Sequence, residues 1–421
     1  RDAQESRGLG DVYKRQVILL SGCSSFGRGV AEAILESGEK KDTRQCEIKG
    51  SKFNGIDYFF SEGNTVKVMM IHGVGTHNPG YATRIRENLA QRLSLEVMSR
   101  RPKDILLLNP DDGKTVLGNL RVTRMQNGER NRTMIFYELT WSDITAAEKE
   151  LLQYDVSGEY THKRAAFNNM MKKFLNDTGP DPMIYLMDKD NLILNATKQA
   201  TCWMLGFNYD ELKPEQKKVC LVESYQQIKD MSKENIVFIT HSLGSRILVD
   251  SFTDIVEQVY AQSRTTRPEA QKIINELKNQ ELTVYMLANQ LPMLQIGRKK
   301  PKINNRIPEY CSPKGKHYQD RVFKKVNIVA FSDPNDILSY DVPQRFVDTY
   351  FDSRMCPAVT NVNLNVAEEI SAFGMSVVNP VTAHTEYDND VRIIEMIAQG
   401  TNDFKSNPLL SKKCKMTLLQ D

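Results

Sequence analysis

The chain has 421 residues, 40% of them apolar, with 56 basic and 53 acidic side chains. That is enough apolar material for a sizeable core, in one large domain or two small ones. The near balance of charge, without a long Lys/Arg-rich face, argues against a nucleic-acid partner, and no apolar run reaches the roughly 18 residues a membrane-spanning helix needs.

Residues 1–16, "RDAQESRGLGDVYKRQ", are polar and patternless and read as a non-native stub outside the fold. They abut "VILLSGCSS", in which Val17 to Leu20 are apolar and Leu20-Ser21-Gly22-Cys23 sets small residues before a cysteine. This stretch resembles the end of a bacterial lipoprotein signal peptide. The resemblance implies acylation at Cys23, a membrane anchor rather than a span and, with Ser24 next, an outer-membrane lipoprotein facing the periplasm. The alternative is a short buried strand with an incidental cysteine, in a cytoplasmic protein. Six further cysteines, Cys46, Cys202, Cys220, Cys311, Cys356 and Cys414, permit disulfides in an exported chain, in any of fifteen pairings. None forms a CxxC pair and no histidine stands at metal-ligand spacing from one, so no metal site is expected.

Residues 24–63 read as a polar linker followed by a short strand or hairpin near "IDYFF", and residues 64–421 as the main domain. "VKVMMIHGVG" is a buried strand, Val66 to Ile71, ending in a glycine-rich turn. A helix is expected over Tyr81 to Arg100, because Ile85, Leu89, Leu93 and Val97 recur every four residues. "TMIFYELTW", Thr133 to Trp141, is a second strong strand. The section from Ser142 to Leu212 reads as a helical insertion, with Phe167, Met170, Met171, Phe174 and Leu175 on one helical face. Packing against the main core is one use for it; a cap over an active site is another, since Met-rich apolar surface suits acyl chains.

A helix over Pro214 to Met231 leads into a strand, Ile236 to Ile239, and a further helix runs to Gln262. Another helix spans Arg267 to Asn279, and "LTVYMLANQLPML" supplies a strand over Thr283 to Ala288. The basic, Pro-rich stretch "QIGRKKPKINNRIPEYCSPKGKHYQ" reads as a solvated surface excursion, with anionic lipid headgroups as a lesser option. "VNIVAFSDPNDILSY" gives a buried strand, Val326 to Phe331, and an acidic turn. "VTNVNLNV" is a weaker strand, and a final helix sets Val391, Ile394 and Ile397 on one face. Strands alternating with helices imply an α/β fold, a mainly parallel sheet with helices on both faces. Ligand sites in such sheets lie beyond the carboxyl ends of the strands. Gly27-Arg28-Gly29 lacks a preceding strand and a third glycine, so no dinucleotide site is expected.

Four of these strand ends carry chemistry. Thr240-His241-Ser242-Leu243-Gly244 joins a buried strand to a helix. It resembles the nucleophile elbow of the α/β-hydrolase family, in which a serine sits on a strained turn and residues two before and two after it are small. Gly244 fits; Thr240 departs from the usual glycine. The plain alternative is a serine capping a helix. In that family the order is serine, acid, histidine. Of the two histidines after Ser242, His317 precedes the acidic turn, whereas His384 follows the last strand and resembles the family's base. "SDPND" offers Asp336 as the acid that orients the base, with Asp333 as the alternative acid and Asp341 further on; the unused one of the pair caps the turn. His72-Gly73 resembles the family's HG turn, with Gly75 close behind. The resemblance implies an oxyanion hole built from the N–H groups of Leu243 and Val74; an ordinary glycine turn is the alternative.

The resemblance covers Val66 to Gly400 and implies a serine hydrolase, esterase or lipase, acting on an ester or lipid substrate without a cofactor. The same three side chains can serve an acyltransferase, thioesterase or amidase, and the fold can serve a non-catalytic binding or scaffold lipoprotein.

Overall fold

The computed structural model describes residues 39–41, 45–62, 65–98, 101–157, 164–187, 191–220, 235–262, 268–372 and 375–418. Cys23 and the rest of the lipoprotein-like stretch lie outside them. Among the described residues, twelve strands form one sheet. In chain order they are β1 (Cys46–Gly50), β2 (Thr65–Ile71), β3 (Glu96–Val97), β4 (Lys103–Leu108), β5 (Val116–Gln126), β6 (Thr133–Thr140), β7 (Gln216–Lys218), β8 (Asn235–His241), β9 (Glu281–Leu287), β10 (Lys325–Ser332), β11 (Pro357–Leu364) and β12 (Lys415–Leu418). Side by side the order is β12-β1-β11-β10-β9-β8-β2-β6-β5-β4-β7, with β3 on β5.

The strands from β11 across to β6 are mutually parallel. The central strands β9, β8, β2 and β6 are nearly continuous apolar and β-branched runs, as a sheet covered on both faces requires. In register, Phe238 of β8 lies beside Met69 of β2 and Val284 of β9. Alternation along β2 sends Met69 and Ile71 into one core and Val66, Val68 and Met70 into the other.

Helices cover both faces. On one side lie α1 (Thr83–Arg92), with Ile85 and Leu89 buried, and a C-terminal helix introduced below; on the other lie the helices of the insertion and the one that comes after β8. The insertion comprises α2 (Asp143–Lys149), α3 (Ala166–Thr178), α4 (Pro180–Met187) and α5 (Leu192–Gly206), besides short turns. α6 (Leu243–Gln262) comes after β8, and its Ile247, Leu248, Phe252 and Val256 are buried at helical spacing. Near the C-terminus come α7 (Pro380–Thr385) and α8 (Val391–Gln399), the latter burying Ile393, Ile394, Met396 and Ile397.

Several expectations are corrected. "IDYFF" belongs to a helix, Ile56–Glu62, that buries Ile56 and Phe60 one turn apart. The helix expected to reach Arg100 stops at Arg92: Ser94 adopts φ 56° and the chain turns into β3, leaving Val97 exposed. β4 and β5 form an antiparallel extension of the sheet that the sequence pattern does not announce. Residues 216–218 are strand, not helix, and pair with β4; the remainder of that expected helix, beyond Cys220, lies outside the described residues. On α3, Met171 and Leu175 face outward, while Met170 and Phe174 are half-buried. The six described cysteines pair as Cys46–Cys414, Cys202–Cys220 and Cys311–Cys356. The first joins β1 to the residue before β12. Among the described residues no helix is long and apolar enough to cross a membrane.

Candidate active site

The chain leaves β8 at His241 and enters α6 at Leu243, so one residue makes the whole turn. Ser242 makes it at φ 55°, a left-handed conformation that non-glycine residues rarely adopt and that costs about 1–3 kcal/mol. Surrounding contacts hold it there. Its N–H donates to Leu287 O at 2.9 Å, from the end of the neighbouring strand β9. Gly244 passes so close to β2 that a Cβ there would lie 2.6 Å from Ile71 O and 2.7 Å from His72 O. Thr240 is fully buried, and its hydroxyl is 3.0 Å from that of Ser245 in the first turn of α6. The β-branched Thr240 is thus tied by a hydrogen bond across the turn.

His384, near the end of α7, reaches Ser242. Its Nε2 is 3.1 Å from Ser242 Oγ, and its Nδ1 is 2.9 and 2.8 Å from the two oxygens of Asp336. A carboxylate only accepts, so the imidazole proton sits on Nδ1 and donates to Asp336. Nε2 is left as the acceptor for the serine hydroxyl. All three side chains are buried. Burial opposes ionisation of Asp336, but the bond and charge of His384, the Leu338 N–H at 3.0 Å and the Tyr387 hydroxyl at 3.2 Å outweigh it, and its carboxyl is held below the usual range.

Asp333 meets a different environment. Its Oδ1 accepts from Asn335 N at 2.7 Å and its Oδ2 from Val366 N at 2.6 Å, so it ties the turn after β10 to the loop after β11. Burial raises its pKa despite those donors. Asp341 bonds Asn363 at 3.1 Å, and His317 pairs with Asp320 at 3.1 Å; neither joins the Ser242 group.

The loop after β2 also meets Ser242. A Cβ on Gly73 would fall 2.6 Å from Ser242 Cβ and 3.1 Å from its Oγ, so only glycine lets this backbone meet the serine. Val74, half-buried, comes directly after it. Leu243 opens α6, where N–H groups have no upstream helical carbonyl and the helix dipole is positive. His72 is a scaffold for the loop: stacked between His77 at 4.1 Å and Trp141 at 4.5 Å, it accepts Trp141 N–H on Nε2 and donates from Nδ1 to Gly73 O. Burial pushes its pKa well down, so it stays neutral.

Two supporting residues, Tyr387 and Arg84, were missed by sequence reasoning, and a third, His241, was read only as part of the turn motif. Tyr387 accepts Asp333 N–H at 2.7 Å and donates to Asp336. Burial, then the Asp336 charge, pushes its pKa well up, so it remains a donor. Its only sequence signal is its place one turn after His384. Arg84 of α1 holds the segment beyond His384 through Asp388 at 2.9 Å and Glu386 at 3.1 Å. His241 donates from Nε2 to His384 O at 2.8 Å; burial, then His384, pushes its pKa down to about 3.

Chemically, this arrangement presents a hydroxyl, a proton acceptor with a fixed tautomer, and a close backbone loop and helix start where negative charge can be stabilised. No protein-family model, no curated protein and no solved structure matches this chain.

Proposed function

We propose that this chain is a serine hydrolase of the α/β-hydrolase type that cleaves carboxylic esters. The observation that carries the reading is the hydrogen-bonded line Asp336–His384–Ser242, with the serine on a left-handed turn between β8 and α6. Ser242 Oγ attacks the ester carbonyl as His384 Nε2 takes its proton. Asp336 holds the imidazole in place and stabilises the imidazolium. The N–H groups of Leu243 and Val74 face the oxygen that becomes negative. The tetrahedral intermediate collapses, His384 protonates the departing alkoxide, and an acyl-serine remains. Water, deprotonated by His384, then releases the acid and restores the serine.

Acylation of Cys23 and an outer-membrane position belong to the same proposal. Three disulfides among the described residues support an oxidising compartment such as the periplasm.

Hydrolysis of p-nitrophenyl esters from acetate to palmitate, with a phospholipid alongside, tests the activity and ranks acyl length. Replacing Ser242 with Ala is expected to lower kcat by about 10⁴-fold or more. Full turnover by that variant would remove Ser242 from the reaction.

A further inference from the structure

The helical insertion reaches into the loop that faces Ser242. Gly75, at φ 93°, donates its N–H to Asp181 Oδ2 at 2.6 Å. The next amide, Thr76 N–H, lies 3.0 Å from Asp177 Oδ2, and the Thr76 hydroxyl donates to Asp177 Oδ1 at 2.6 Å. Both carboxylates belong to the insertion, Asp177 at the end of α3 and Asp181 at the start of α4. One ammonium serves both: Lys149, the last residue of α2, is 2.8 and 2.9 Å from the two oxygens of Asp181 and 3.6 Å from Asp177. Asp181 is fully buried and Lys149 nearly so.

A buried carboxylate is tolerated when it is paired and hydrogen-bonded, and bonds to a charged acceptor are the strong ones. This one combines an ammonium and an amide. Because a carboxylate only accepts, Gly75 and Thr76 are compelled to aim their N–H groups at the insertion. That fixes the peptide planes immediately after Val74. The side chain of Asp177 also fills the space beside Gly75, where a Cβ would come within 3.1 Å of its Oδ2. The loop is gripped at Gly75 and Thr76 by the insertion and pressed at Gly73 against the nucleophile.

We infer that Asp181, held by Lys149, is a positioning residue through which the helical insertion sets the backbone donor at Val74. This rests on the serine hydrolase reading and extends it: the insertion helps to build the oxyanion site. Asp181 does not touch the reacting atoms; it acts through the Gly75 amide.

The test compares Asp181→Ala and Asp181→Asn with the wild type in the full chain. Steady-state kinetics on p-nitrophenyl butyrate are read together with hydrogen exchange of the peptide spanning Gly73 to His77. Asp181→Ala is expected to lower kcat about 10²-fold with KM little changed, the loss associated with one oxyanion donor. Exchange at Gly75 and Thr76 is expected to accelerate. Asp181→Asn keeps an oxygen for the Gly75 N–H and is expected to recover kcat to within about tenfold of the wild type. It also stands in for the alanine variant if that one does not fold: a fall in kcat that accompanies faster Gly75 exchange then supports the inference, and faster Gly75 exchange with wild-type kcat overturns it. Wild-type kcat in Asp181→Ala overturns the inference, whatever the exchange shows. A wild type that turns over no ester would sink the hydrolase reading instead. Unchanged exchange in Asp181→Ala would still show that Asp181 does not hold the loop.

Discussion

Asp336 directs both carboxylate oxygens at one imidazole, whereas Asp333, three residues earlier, uses its oxygens on backbone N–H groups of two loops. Substitution should separate the two. In Asp336→Asn the amide no longer specifies a proton on His384 Nδ1, so Nε2 is no longer reserved as the acceptor for Ser242. The expected loss is about 10⁴-fold in kcat with the fold intact. In Asp333→Asn one backbone donor confronts an NH₂ group, and the expected cost is about 1–3 kcal/mol of stability with kcat near that of the wild type. Ester kinetics and denaturant unfolding of both variants check the pair; an exchange of the two phenotypes would reverse the assignment. Both aspartates are visible in "SDPND", but the features that separate them are not. The choice is made by Tyr387, Val366 and His384, which lie far along the chain and meet the turn only once the sheet has formed.

The junction between β8 and α6 is legible because its two periodicities are strong: a continuous apolar strand gives way abruptly to buried residues at helical spacing. Elsewhere local pattern misleads. The four-residue spacing of Ile85, Leu89 and Leu93 carries on to Val97 only by coincidence, because the left-handed Ser94 ends the helix first. In Ile56–Glu62 an aromatic run with strand propensity becomes helix, since one turn of helix buries Ile56 and Phe60 together. β8 is also tied to α7, through the bond from His241 to His384 O, and this link carries a pH dependence. His241 has an ordinary pKa of 6.5 and a folded value of about 3; burial dominates, and His384 adds to it. Between those values the unfolded chain binds a proton that the folded chain refuses. The stability this neutral imidazole gives is therefore full above about pH 6.5 and lost as the pH falls towards 3, by up to about 1.4 kcal/mol per unit. His241→Gln keeps an N–H donor and does not titrate, so its unfolding free energy should fall less steeply across that window. Equal slopes in urea titrations from pH 7 to 4 would contradict the role given to His241.

Across the whole molecule, the parallel centre of the sheet and its site-bearing strand ends are legible in sequence pattern, because each is a short-range signal. The antiparallel extension β4–β5, the cysteine pairing and the grip of the insertion on the loop after β2 are not, because each depends on segments distant in the chain. Asp177 and Asp181 lie far along the chain from Gly75 and Thr76, and only the folded chain brings them together. The central claim is that this architecture makes one serine nucleophilic. The most direct test is to treat the folded protein with a fluorophosphonate and locate the adduct by peptide mass spectrometry. The expected result is a single adduct on Ser242, lost in both Ser242→Ala and His384→Ala. No adduct, or one on another residue that survives both substitutions, would contradict the account.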